Sequence, residues 1–114
     1  AGERLVVPAG ADPVIRRLED AGADVVPVPF PVSPAARVVL SALPITGCVV
    51  TDPADVEWMH DERGGASWGD DCPAWCLGED TALRARERGW RRVRELDRGG
   101  ACSELVSAIA DGRR

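Results

Sequence analysis

Five short apolar runs, each closed by a Gly, Pro or Asp turn and followed by a helix-forming stretch, constrain this chain more than any other feature. Arg4-Leu5-Val6-Val7 is the first run, stopped by Pro8-Ala9-Gly10. Asp12 before Pro13 is an N-cap followed by a good first helical residue, Val14, Ile15 and Leu18 keep helical spacing, and Gly22 ends the helix. Asp24 to Val28 is a second strand, and Pro27, which has no N–H to donate, puts it at a sheet edge. Ser33 caps a helix over 35–43, whose apolar positions are Val38, Val39 and Leu43. Thr46 to Val50 is the third strand. Its uninterrupted apolar run suits a central parallel strand covered on both faces.

Thr51-Asp52-Pro53 opens the next helix, which runs to about His60, and the glycine-rich stretch 61–71 reads as a loop. A fourth strand centres on Trp75-Cys76, Gly78 breaks it, and a helix follows from Glu79 to Arg88, ending at Gly89. Arg91 to Leu96 make a weaker edge strand, a Gly-rich loop spans 97–101, and Cys102 to Asp111 form the last helix. This β-α order, repeated five times with right-handed crossovers, implies an α/β fold. The expected architecture is a flavodoxin-like, doubly wound, five-stranded parallel sheet of order 2-1-3-4-5. With 114 residues, the chain is read as a single domain over 1–114.

In such a sheet ligands bind at the carboxyl ends of the strands, where the strand order reverses and helix N-termini converge. The candidate binding residues are therefore Pro8, Ala9, Gly10, Thr51, Asp52, Gly78, Glu79, Asp80, Thr81 and Arg98. Thr51 and Thr81 also read as plain caps. Asp52 follows the central strand, where a receiver domain carries its phosphoacceptor. However, strand 1 ends in no acidic pair and strand 5 carries no Lys, which sets receiver chemistry aside. Pro-Ala-Gly-Ala-Asp after strand 1 is not a dinucleotide fingerprint, nor is there a P-loop.

The net charge is −5, which argues against a broad nucleic-acid surface, and no apolar run reaches membrane-spanning length. The chain opens on Ala1 and shows no signal-peptide pattern, so a reducing cytoplasm and free thiols are expected for Cys48, Cys72, Cys76 and Cys102. Four cysteines could pair in three ways. Cys72 and Cys76 are separated by three residues where a redox pair has two, and a zinc site would have to recruit His60 and Cys102, so buried structural thiols are the simpler reading. His60 reads as a dipole partner at a helix end. Trp58, Trp68 and Trp90 read as core or loop anchors, with Trp68 the most exposed.

The order of the pieces resembles the uroporphyrinogen-III synthase family. The carriers are Arg4 to Gly10, Ala21 to Val26, Val49-Val50-Thr51-Asp52-Pro53-Ala54-Asp55-Val56, Gly78-Glu79-Asp80-Thr81-Ala82-Leu83 with Arg88-Gly89-Trp90, and Ser103 to Ile109. The resemblance implies a lyase that cyclises a linear tetrapyrrole without a cofactor or metal, holding the bilane by backbone donors and by Thr51 and Gly78 to Thr81. No catalytic residue is assigned. This chain has one repeat where the family has two, so a homodimer, or a partner supplying the second half of the cleft, is expected. Asp52 replaces a family Ser, and the chain has no Tyr. A non-catalytic binding or scaffold module on the same fold is the alternative, and a thiol or metal site at Cys72 and Cys76 is a further one.

Overall fold

The computed structural model describes residues 3–29, 33–65, 72–97 and 103–112; of residues 41, 61–65, 108 and 110–112 it describes the backbone. Five strands, β1 (Arg4–Pro8), β2 (Asp24–Val28), β3 (Gly47–Val50), β4 (Ala74–Leu77) and β5 (Val93–Leu96), alternate with five helices. These are α1 (Asp12–Asp20), α2 (Pro34–Ala42), α3 (Pro53–Gly65), α4 (Glu79–Glu87) and α5 (Ser103–Gly112). The strands form one parallel sheet in the order β2-β1-β3-β4-β5, as the sequence pattern requires.

Strand alternation divides the apolar side chains between two cores. Val6, Cys48, Val50, Ala74 and Cys76 face the layer that supplies Leu40 of α2, Val56 and Met59 of α3, and Ala82 and Ala85 of α4. Leu5, Val7, Val49, Leu77 and Leu96 face the opposite layer, with Leu18 of α1 and Leu105 and Ile109 of α5. All four β3 residues are buried, because both faces of that strand are covered. The edges are protected by different means. β2 carries Pro27, and β5 turns Arg94 and Glu95 to solvent. An Arg4 Nε to Asp24 Oδ2 ion pair at 2.8 Å joins directly paired residues of β1 and β2.

Four local expectations are revised. The N-cap of α1 is Ala11, without a side-chain bond, and Asp12 is the first helical residue, where its charge complements the helix dipole. β5 begins at Val93 rather than Arg91. α3 continues past His60 to Gly65, so the helix includes both Gly64 and Gly65; the rest of the expected loop, 66–71, lies outside the described residues. On α2, Ser33 Oγ does accept from the Ala36 N–H at 3.1 Å, but Val38 and Val39 are 69% and 57% exposed. The helix seats itself through Ala36 and Leu40, one turn apart, and Leu43 leaves it in an extended conformation because Pro44 follows.

This seating has a direct test. Leu40→Ala should cost about 2–4 kcal/mol in denaturant unfolding, as expected for a buried leucine. Val38→Ser should stay within about 0.5 kcal/mol of the parent. A reversed ranking would mean that α2 packs through its other face.

Candidate functional site

Strand register assembles the carboxyl edge. Val6 pairs with Cys48 and Val50 with Cys76, so Ala9-Gly10, Thr51-Asp52 and Gly78 leave three neighbouring strands side by side. Leu77 pairs with Leu96, which places Asp97 next to Gly78. α1 and α3 depart to opposite faces from β1 and β3, so the reversal of strand order falls between these two strands. Sequence reasoning thus located the edge, and nine of its ten candidate residues are described there; Arg98 lies outside the described residues.

At this edge the loops use many of their own polar groups. Pro8 is buried, Ala9 donates its N–H to the Val28 carbonyl at 2.8 Å, and Gly10 turns the chain with φ of 99°. Asp52 Oδ1 accepts from the Ala54 N–H at 2.9 Å, and its carbonyl accepts from the Asp55 N–H at 2.9 Å, so Asp52 caps α3. The Thr51 hydroxyl donates to Asp55 Oδ2 at 3.0 Å. Gly78, at φ of 88°, donates to the Leu96 carbonyl at 2.8 Å, and the Thr81 N–H donates to Asp80 Oδ1 at 2.9 Å. Glu79 and Asp80 are exposed, while Thr81 is 0% exposed and lies with Ala82 and Ala85 on the buried face of α4.

Electrostatically, the loops 51–55 and 78–81 bring four carboxylates, Asp52, Asp55, Glu79 and Asp80, and no cation. Burial pushes the Asp55 carboxyl above its usual range. The Asp52 charge adds to that rise, against the lowering effect of the bonds from Thr51. Sequence reasoning did not single out Asp55. The available signal was its spacing of four from Thr51, one helical turn across the cap.

The thiols sit elsewhere. Cys48, Cys72 and Cys76 are buried and form no disulfide, with Cys72 Sγ 3.3 Å from the Ile45 carbonyl and Cys76 Sγ 3.8 Å from that of Ala74. Among the described residues no group of three or more His, Cys, Asp or Glu side chains could hold a metal; Cys102 and Trp68 lie outside them. His60 is not a helix-end dipole partner. It lies within α3, and its Nδ1 accepts from the indole of Trp90, itself a core residue, at 3.1 Å. Trp58 is 51% exposed rather than a core anchor. Among the described residues no helix is long and apolar enough to cross a membrane.

The chain matches no protein-family model and no curated protein. Among solved structures it is similar to a CheY-like protein, tadZ, from Pseudomonas aeruginosa PAO1. The TM-score is 0.60, over 96% of this chain and 94% of that one, at 13% sequence identity. Such a likeness shows the fold: a receiver-like, flavodoxin-like α/β sheet. It overturns the expected kinship with uroporphyrinogen-III synthases, and with it the lyase acting in tetrapyrrole biosynthesis. The residues that carried that resemblance are strand ends, positive-φ glycines and helix caps, which any doubly wound sheet needs at its β-to-α junctions. The carboxylates on the two loops would also repel a substrate rich in carboxylates.

The raised Asp55 carboxyl gives a pH test. A carboxyl that titrates higher in the folded than in the unfolded chain adds stability at low pH and loses that contribution as pH rises through the folded value. Asp55→Asn keeps an oxygen for the Thr51 hydroxyl and removes the buried charge. It should raise the melting temperature at pH 7, with the gain vanishing below the carboxylate range. A lower melting temperature at pH 7 would show that the charged bond to Thr51 outweighs the burial.

Proposed function

We propose that this chain is a non-catalytic interaction module built on a receiver-like sheet. The observation that carries this reading is the state of the carboxyl edge. Where a receiver holds its phosphoacceptor, Asp52 is engaged in capping α3 and the Thr51 hydroxyl is engaged with Asp55. β1 ends in Pro8-Ala9-Gly10 instead of an acidic pair, and no lysine occurs anywhere in the chain. On the described loops 51–55 and 78–81, Asp52 has carboxylate neighbours and no cation to neutralise a phosphoryl group and stabilise its transfer. A cytoplasmic setting fits three buried cysteines that form no disulfide.

Incubation with acetyl phosphate and magnesium, followed by intact-mass measurement, tests the absence of phosphoryl chemistry. The mass should stay unchanged. An added phosphoryl group that is lost in Asp52→Asn would overturn the reading.

The partner proposed is a second copy of the chain. The outward side of α2 presents Pro34, Ala35, Val38, Val39 and Ala42, with Arg37 as the helix's one charge, whereas the exposed residues of α1 and α4 are mostly charged. Such a strip can pair with itself about a two-fold axis, the commonest assembly symmetry. Sedimentation over a concentration series should show a monomer–dimer equilibrium that Val38→Glu shifts to monomer at least tenfold. A parent that stays monomeric throughout would remove the homodimer while leaving the edge argument intact.

A further inference from the structure

We infer that His60 and Trp90 form a proton-sensitive latch between α3 and the turn from α4 into β5. Trp90 is 5% exposed, and its indole can only donate. The acceptor is His60 Nδ1 at 3.1 Å, so the imidazole proton resides on Nε2. A second proton enters at Nδ1 and turns the acceptor into a donor. Two N–H groups then face each other at a site where the indole is buried, and one must swing away.

The turn is built so that Trp90 holds it. Gly89 reverses the chain at φ of 85°, and the Trp90 N–H donates to the Ala85 carbonyl at 3.1 Å, closing the end of α4. The indole is then the link from this turn to α3. A second link lies one turn earlier, where Glu57 of α3 receives Arg84 Nε at 3.5 Å and is bridged by the Arg88 guanidinium. Among the described side chains these are the charged groups that α3 and α4 pair at the seam; the side chains of residues 61–65 lie outside them. β3 brings none, and Arg91 and Arg92 beyond Trp90 are exposed. His60 is the single histidine of the chain, and a proton added at its Nδ1 removes the acceptor of the Trp90 indole. The Glu57 link does not pass through the imidazole, so the latch can open while that link remains.

The test follows the indole N–H signals by ¹H–¹⁵N NMR from pH 7.5 to 5.0, with Trp90 identified by the signal missing in Trp90→Phe. The Trp90 signal should move upfield at pH 5.0, and its rate of exchange with water, as a ratio to that of the other indoles, should rise at least fivefold. The other indoles, exchanging by base catalysis, should slow. His60→Gln, whose amide oxygen accepts without titrating, should hold the Trp90 signal still. Because the variant could perturb folding, the parent gives a second readout: the ring ¹⁵N shifts of its single histidine must titrate with the same midpoint as the indole. A stationary Trp90 signal, a His60→Gln chain that titrates like the parent, or unequal midpoints would overturn the latch.

Discussion

The structure depends on the burial of β3. All four of its residues are buried, and the side chains of Cys48, Val49 and Val50 are shared between the two cores. Gly47 starts the strand where a Cβ would come within 3.2 Å of both Leu5 Cδ2 and the Pro73 carbonyl oxygen, so any larger residue there would make β1 or the segment entering β4 give by a few tenths of an ångström. Once β3 is fixed between β1 and β4, the handedness of the crossovers distributes the helices. The reversal of strand order then necessarily falls between β1 and β3.

We propose that receiver-like architecture and receiver chemistry separate at this point. The sheet delivers an aspartate to the end of its central strand, but the surrounding side chains have a different use. Asp52 serves the helix that follows, Thr51 and Asp55 satisfy each other, and Thr81 is in the core. In this chain, hydrogen bonds that could have faced a ligand instead close the junctions between strands and helices. The same economy explains why a resemblance built on those junctions pointed to the wrong family. The backbone geometry of a β-to-α turn limits which residues can stand there, so unrelated sheets converge on similar short strings.

Much of the architecture was legible because strand burial is written in unbroken apolar runs. Cys48-Val49-Val50 could hardly be anything but a central strand, and Pro27 marked an edge. The helices were less legible. α2 contains apolar residues around most of its circumference, so periodicity could not say that Leu40 rather than Val38 faces inward. The glycines near the end of α3 hid five helical residues, and with them the fact that His60 lies inside a helix within reach of Trp90. The site was legible as a place and not as a chemistry. Which donor meets which acceptor at Thr51, Asp52, Asp55 and Thr81 depends on the rotamers of short side chains, which no sequence pattern encodes.

The central claim is that the carboxyl edge is closed upon itself and is not an empty phosphoryl site. The most direct measurement is a backbone NMR titration with magnesium and beryllium fluoride, which imitates a phosphoryl group on aspartate. The amide signals of Ala9, Gly10, Asp52, Ala54, Gly78 and Thr81 should stay in place at millimolar concentrations of both. Saturable shifts centred on Asp52 and Gly78, abolished by Asp52→Asn, would contradict the account.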